Sequence, residues 1–401
     1  MSEIGVVVLG STGTVGCCTL EVLALHRERF RIVALAARSN VGLMVQQCQR
    51  FEPEWAGMES EAAAQELERQ LRQSGSPTRV VAGAAAIAQL GTQSQVDYVM
   101  AAISGAAGLA SALAAAGAGK RLLLANKESA VMAGSLLIAA VQRSGAQLIP
   151  IDSEHNAIFQ CLPPGFQAGT APPGVRRLLL TASGGPFLNW TAEALAHATP
   201  AQACAHPRWH MGRKISVDSA TLMNKGLELI EASVLFGMTA ADIEIVVHPQ
   251  SVVHSLVEYV DGSVLAQLSA PDMRVPIAQA LAWPHRMAAG VEFLDLVRAA
   301  RLDFQAPDPQ RFPCLRHAQE AARLGGLSCA SLNAADEIAV QAFLDKQLNF
   351  GDIPIVIESV MDRVRGGAMT GLEAVLAADG EARALASEFV ARRPVGQSVH
   401  L

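Results

Sequence analysis

The first 150 residues alternate short, almost continuously apolar runs with alanine-rich stretches of helical periodicity. Runs at 4–9, 31–36, 80–82, 98–101, 121–125 and 147–150 predict strands. Strands that are apolar on both faces are covered on both faces, so the alternation predicts a parallel, doubly wound sheet over 1–150. The stretch 61–72 is polar and helical and reads as a solvated face. Beyond a Pro/Gly cluster at 163–173, strands are expected at 178–181, 244–247, 252–259 and 264–268. Asp261-Gly262 separates the last two as a hairpin turn. The region 151–285 therefore reads as a mixed α+β domain. Residues 286–312 are irregular and read as a linker. Alanine-rich helical patterns over 313–401, split by glycines, predict a helical bundle.

The first strand runs into Gly10-Ser11-Thr12-Gly13-Thr14-Val15-Gly16, with a helix expected from about Cys17. Glycines at this place permit a tight turn and close backbone approach, and a helix N-terminus faces a diphosphate well. The N-terminal sheet is thus Rossmann-like, with a dinucleotide expected on it. A carboxylate that would hold the ribose hydroxyls of NADH is missing at the end of the second strand. Arg38, Ser39 and Asn40 stand there instead. A cation beside a hydroxyl and an amide suits a 2′-phosphate, so NADPH is favoured over NADH.

Asp152-Ser153-Glu154 follows the strand at 147–150. In extended chain, residues two apart share a side, and two carboxylates that close call for a positive partner. A hard divalent cation fits. A helix N-terminus capped by Asp152 or Ser153 fits these residues equally well. A helix read from about Ser219 places Met223, Leu227, Ile230 and Val234 on its buried face and Asn224, Lys225 and Glu228 on the other. Gly226 inside it asks for a packing or ligand reason.

Thr181-Ala182-Ser183-Gly184-Gly185 ends a strand with hydroxyls and exposed N–H groups, and Ser219 and Lys225 add a donor and a charge. Together they outline a phosphate site. Trp209 and Met211 lie between Pro207 and Gly212, where regular structure is not expected; large apolar groups there could cover a ligand. His206 and His210 are four apart, but Pro207 disfavours the helical conformation that a zinc pair would need.

Composition narrows the partners. A formal net charge of −6 with only 17% charged residues gives no footprint for nucleic acid or an anionic membrane. Seven scattered cysteines without a CxxC spacing read as reduced thiols in a cytoplasmic protein. No apolar run reaches the ~20 residues of a membrane span.

These stretches, with Leu124-Ala125-Asn126-Lys127-Glu128-Ser129, His248–Ser255 and Leu332-Asn333-Ala334-Ala335-Asp336-Glu337, resemble the 1-deoxy-D-xylulose 5-phosphate reductoisomerase family over essentially the whole chain. The resemblance implies three parts: an NADPH-binding domain, a catalytic domain and a C-terminal helical bundle, in a homodimer. It implies rearrangement and reduction of the sugar phosphate to 2-C-methyl-D-erythritol 4-phosphate. The metal ligands it implies are Asp152, Glu154 and Glu228, for Mg²⁺ or Mn²⁺ with Co²⁺ as a further candidate. Ser183, Ser219, Asn224 and Lys225 match phosphate contacts, His206 matches a position beside the substrate, and Lys127 and Ser153 match contacts to substrate hydroxyls. Trp209 and Met211 match a mobile loop. Asn126, Glu128, Gly212 and Met273 join the cofactor contacts.

Overall fold

Seven strands, one more than expected, pair in parallel in the N-terminal sheet of this computed structural model, which describes residues 3–207, 209, 212–364 and 366–393. They are β1 (Ile4–Leu9), β2 (Phe30–Ala37), β3 (Trp55–Met58), β4 (Arg79–Ala82), β5 (Tyr98–Ala101), β6 (Arg121–Leu124) and β7 (Gln147–Pro150). Their spatial order is β4-β3-β2-β1-β5-β6-β7, so the direction of winding reverses between β1 and β5. In such sheets the crevice at the carboxyl ends of the strands flanking that reversal is where ligands bind. Val6, Val7, Val8 and Leu9 have no exposed surface, as expected of a central strand covered on both faces.

The unforeseen strand is β3. Its four residues include a glycine and follow Pro53, a weak strand signature. Gly57 is there for space: a Cβ on it would lie 2.9 Å from Cγ1 of Ile87, on the helix Ala84–Leu90. The polar helix Glu61–Gln73 is solvated on one side only. Ala64, Leu67 and Leu71 are buried, and the polar residues form the solvated face expected of this stretch.

Residue contacts divide the chain into two units. The first takes in Met1–Ser129, Leu136–Phe159 and Asp272–Phe293, and the second Ala130–Ser135, Gln160–Pro271 and Leu294–Leu401. The second unit holds a four-stranded sheet of β8 (Val175–Ala182), β9 (Ile243–Val247), β10 (Val253–Tyr259) and β11 (Val264–Leu268), ordered β11-β10-β8-β9. β10 runs antiparallel to β8 and β11, and β8 and β9 are parallel. The hairpin turn falls at Asp261 and Gly262 as expected, with Ser263 N–H donating to Asp261 Oδ1 at 2.9 Å.

The helix expected from about Ser219 is two helices. Arg213–Thr221 ends at Leu222, whose φ of 59° turns the chain, and Met223–Phe236 follows. A left-handed leucine costs about 1–2 kcal/mol, offset here by its burial. Gly226 has a packing reason: its Cβ would lie 2.4 Å from that of Ala318, where helix Pro313–Leu324 crosses. That helix packs with Ser328–Leu344, Asp352–Met361 and Leu372–Arg392 to form the C-terminal helical bundle. The linker has one short helix, Leu296–Ala299, and Gln305 pairs with Val247 at the rim of β9.

Candidate active site

In the first unit, the expected cofactor residues gather at the carboxyl ends of the parallel strands. The turn after β1 is shaped by Gly10 (φ 84°), where a Cβ would lie 2.3 Å from the Ala102 carbonyl oxygen. Gly16 is as tightly constrained, 2.2 Å from the Gly10 oxygen. Gly13 is exposed, and a Cβ there would meet nothing closer than 3.4 Å. Its glycine leaves room for a close ligand rather than for packing. The helix Thr14–Ala24 begins three residues before the expected Cys17. No side chain caps it and no acid sits in its first turn, so its leading N–H groups and dipole suit a diphosphate. Burial raises the Cys17 thiol above its ordinary range, keeping it neutral beside the turn.

Ser11 does not offer its side chain outward. Its hydroxyl donates to Gln47 Oε1 at 2.8 Å, Gln47 Nε2 donates back to the Ser11 carbonyl at 2.9 Å, and its N–H donates to Ala36 O. Gln47 is not among the residues the sequence points to. Its one signal is a polar residue inside the buried stripe Met44, Gln47, Cys48 of helix Val41–Phe51. At the end of β2, Arg38, Ser39 and Asn40 are exposed. Arg38 Nε lies 3.6 Å from Glu59, and Asn40 caps the following helix through Leu43 N–H. At the end of β6, Asn126 caps Lys127–Ser144, accepting from Ser129 N–H and donating to Glu128 and to Gly105 O. Met273 is half-buried between Asp272 and Arg274, whose carboxylate and guanidinium meet at 2.6 Å. That hydrogen bond holds the Asp272 carboxyl below its usual range.

Asp152 and Glu154 lie past the end of β7. Glu154 is in the first turn of helix Ser153–Cys161, not in extended chain, so the pair does not share a side by strand alternation. The helix start itself presents both groups. Lys127 Nζ is 2.7 Å from Asp152 Oδ2, and His155 Nδ1 is 3.9 Å from the same oxygen. Ser153 Oγ donates to Glu154 Oε2 at 2.5 Å.

In the second unit the expected phosphate residues come together. Gly184 and Gly185 follow Ser183 with successive positive φ of 84° and 69°, a turn that favours glycine at both positions. A Cβ on Gly185 would lie 2.5 Å from the Ser219 carbonyl, so this turn rests on the end of Arg213–Thr221. Ser219 is near that helix's C-terminus, not at a helix start as expected. Trp209 N–H donates to His206 Nδ1 at 2.9 Å, and Nε2 lies 2.9 Å from Ser183 Oγ. A neutral His206 accepting at Nδ1 must carry its proton on Nε2, so it donates to Ser183. Ser183 Oγ also accepts from Gly185 N–H at 3.1 Å. With its acceptor side occupied, the hydroxyl is set to donate to an anion.

On Met223–Phe236, Asn224 and Lys225 both donate to Glu228. The Lys225–Glu228 pair is buried, 4% and 1% exposed, and not the exposed pair of an ordinary helix surface. Glu231, on the same helix, is fully buried, and the sequence reading gives it no role. Gly212 caps Arg213–Thr221 and is exposed. Trp209 is half-buried, its ring 6.4 Å from that of His254. Met211, with Arg208 and His210, lies outside the described residues.

Three family models match the chain: 1-deoxy-D-xylulose 5-phosphate reductoisomerase over residues 6–134, a C-terminal domain of that enzyme over 148–236, and a second one over 268–385. A 1-deoxy-D-xylulose 5-phosphate reductoisomerase of Cellvibrio japonicus is 57% identical over 96% of this chain and 98% of its own. The chain belongs to the 1-deoxy-D-xylulose 5-phosphate reductoisomerase family. A relative of the same name from Pseudomonas fluorescens is 54% identical over 96% of this chain and 98% of its own. Solved members superimpose closely. One in complex with NADPH, fosmidomycin and magnesium has a TM-score of 0.91 at 44% identity, covering 97% of this chain and 98% of that one. The Zymomonas mobilis enzyme in complex with NADPH has 0.90 at 45%, covering 97% and 99%. The family rearranges and reduces 1-deoxy-D-xylulose 5-phosphate to 2-C-methyl-D-erythritol 4-phosphate in isoprenoid synthesis, and that is the reaction of this chain.

Proposed function

We propose that NADPH lies along the carboxyl edge of the parallel sheet, and that Asp152, Glu154 and Glu228 hold the divalent cation this reaction uses, Mg²⁺ or Mn²⁺ with Co²⁺ as a further candidate. The residues fit both groups. The uncapped helix start after Gly13, with no acid in its first turn, takes a diphosphate. The carboxylates are hard oxygen donors, and Asp152 and Glu228 each already face an ammonium, from Lys127 and Lys225. Buried negative charge of this kind is tolerated only beside positive charge. Two relatives of known structure, bound to NADPH and to magnesium, support the assignment.

When bound, the cation polarises the ketone and its neighbouring hydroxyl, and NADPH supplies hydride to the rearranged aldehyde. The chain's own residues do the rest. Lys127 and Ser153 donate hydrogen bonds to substrate oxygens beside the carboxylates. Ser183, Ser219, Asn224 and Lys225 anchor the phosphate. His206 fixes Ser183 through its Nε2 proton. Binding energy from the unreactive phosphate orients the reacting end. Trp209 covers the bound sugar, with Met211 as its partner in this role, and keeps water from the aldehyde. Met273 packs by the nicotinamide, and Arg38, Ser39 and Asn40 receive the 2′-phosphate. Thr12, Thr14, Val15, Asn126, Glu128 and Gly212 complete the cofactor contacts.

The same proposal divides the chain into an NADPH-binding part (1–150), a catalytic part (151–285), a linker (286–312) and a helical part (313–401), in a cytoplasmic homodimer. β11 is an edge strand with Val264 and Leu265 exposed and Val260 nearby, an apolar edge that a second copy would cover. Among the described residues no helix is long and apolar enough to cross a membrane.

The strongest support is the paired placement of Asp152 and Lys127 at adjacent strand ends, next to the glycine turn's sheet. The test is NADPH oxidation with 1-deoxy-D-xylulose 5-phosphate after chelation, with and without added Mg²⁺, and identification of the product. Asp152→Asn and Glu228→Gln should each abolish metal-dependent turnover while NADPH binding stays within about twofold. Near-normal turnover of both variants at limiting Mg²⁺ would show that the carboxylates are misassigned. A straight-chain polyol phosphate as product would mean reduction without rearrangement.

A further inference from the structure

The motif Leu332–Glu337 is part of the family likeness, yet the reaction as derived gives it no task. It lies in helix Ser328–Leu344, inside the second unit. Asp336 has no exposed surface, and its Oδ2 is 2.7 Å from Lys214 Nζ. The same ammonium is 2.7 Å from Oδ2 of Asp218, one turn further along Arg213–Thr221 and 3% exposed. Two buried carboxylates thus converge on one lysine. The next residue, Glu337, is held by Arg383 at 2.5 Å, and Arg383 reaches Asp379 at 2.7 Å on Leu372–Arg392. Helix Ser328–Leu344 is therefore fixed from one side by the bundle's last helix, and from the other it holds Lys214.

Lys214 and Asp218 lie on the helix that carries Ser219. The turn of Gly185 rests on the Ser219 carbonyl, and Leu222 then bends the chain into the helix of Asn224, Lys225 and Glu228. Displacing this helix by a fraction of an ångström would move the Ser219 hydroxyl against Ser183 and Lys225. We propose that Asp336, acting through Lys214, is a positioning residue that sets the helix Arg213–Thr221 at the height at which Ser219 meets the substrate phosphate. This rests on the phosphate assignment given above. Burial lifts the Asp336 carboxyl above the usual range, with Lys214 acting in the opposite sense. Cys314, fully buried, faces both aspartates, and burial raises its thiol. So enclosed a group gains its ionic partner at a desolvation cost, which specificity of position explains better than stability does.

The experiment compares wild type, Asp336→Asn, Lys214→Arg and Ser219→Ala. It measures KM and kcat for the sugar phosphate, NADPH affinity by fluorescence, and amide exchange of peptides spanning 212–222. Asp336→Asn keeps the shape and removes the carboxyl group that meets Lys214. It should raise substrate KM about tenfold, with a smaller change in kcat, and speed exchange in 212–222 while NADPH affinity stays within twofold. Lys214→Arg, which keeps the cation, should leave KM close to that of the wild type. An unchanged KM in Asp336→Asn, when Ser219→Ala raises KM, overturns the positioning role whatever the melting temperature does. If Ser219→Ala itself leaves KM unchanged, the phosphate assignment fails, and faster exchange in 212–222 would then show only that Asp336 holds the helix. Should Asp336→Asn not fold, Lys214→Gln carries the same comparison, with the same outcomes for and against.

Discussion

Gln47 grips Ser11 with both ends of its carboxamide, accepting from the hydroxyl at 2.8 Å and donating to the carbonyl at 2.9 Å. The two residues are 36 positions apart and both are buried. The second residue of the glycine turn is therefore fastened to the helix that follows β2. Its N–H and that of Gly10 are bound to the end of β2 through the Ala36 carbonyl. The turn is held from one side by strand and helix, and Gly13 and Thr14 on its other side are exposed.

Gln47→Leu should accordingly weaken NADPH binding. It removes two buried hydrogen bonds and leaves the Ser11 hydroxyl without its acceptor, a loss of about 1–3 kcal/mol, or roughly 5- to 150-fold in affinity if it falls on the cofactor-bound form. Fluorescence titration with NADPH measures it. The KM for the sugar phosphate at saturating NADPH should stay within twofold. Unchanged NADPH affinity alongside a lowered melting temperature would show that Gln47 only stabilises the sheet.

Arg38 is 88% exposed on its side chain and only loosely tied to Glu59 at 3.6 Å. A charge-assisted bond from it to a 2′-phosphate is worth roughly 1.5–3 kcal/mol, about 10- to 150-fold in affinity. Arg38→Ala should weaken NADPH by that factor and NADH by less than threefold. Glu59→Gln, which releases the guanidinium from this carboxylate, should leave NADPH binding equal or tighter. Equal losses for the two cofactors in Arg38→Ala would remove Arg38 from the site.

Much of this is legible in the residue pattern, and the omissions have physical causes. The apolar runs and the glycine turn locate six of the seven parallel strands, because buried strands differ sharply from the helices between them. β3 is hidden by its glycine, which packing under Ile87 requires. The periodicity of Met223, Leu227 and Ile230 marks a buried helix face correctly. The corner at Leu222 stays invisible, since leucine is a good helix former and nothing local announces a positive φ. For Asp152 and Glu154 the sequence leaves two geometries open, alternate residues of an extended chain or the start of a helix, and the structure has the helix start. The hold of Gln47 on Ser11 is not legible because the two residues are 36 positions apart. The links from Lys214 to Asp336 and from Gln47 to Ser11 both join polar side chains on different elements, and no short-range pattern records them.

Lys225 offers a test of the phosphate pocket that separates binding from structure. In the structure its ammonium is on Glu228, and both groups are buried. Lys225→Ala should raise the substrate KM by at least tenfold and lower kcat/KM more, with NADPH affinity spared. On the same sugar without its phosphate the loss should be far smaller, because the interaction removed is one that substrate cannot make. An equal loss on both sugars would place Lys225 with the carboxylates, as the counter-charge of Glu228, instead of with the phosphate.

Trp209 is tied to Ser183, one of the residues proposed to hold the phosphate, through His206. Its backbone N–H donates to His206 Nδ1, and through that ring's Nε2 proton it is linked to Ser183. Its indole is half-buried, edge-on to His254. If the remaining face closes on the sugar, it removes on the order of 100 Å² from water, about 2.5 kcal/mol at ~25 cal/mol per Å². Trp209→Ala should then raise the substrate KM by one to two orders of magnitude, while the melting temperature moves by only a few degrees. The same contact can be read directly. With Trp55, Trp190 and Trp283 replaced by phenylalanine, emission from Trp209 should shift when a phosphonate bearing a metal-chelating hydroxamate is added with Mg²⁺ and NADPH. The shift should be lost in Ser183→Ala if the phosphonate is what seats the ligand beneath the ring. A large fall in melting temperature with unchanged ligand affinity in Trp209→Ala would identify the indole as a plug against His254 and not a cover for the substrate.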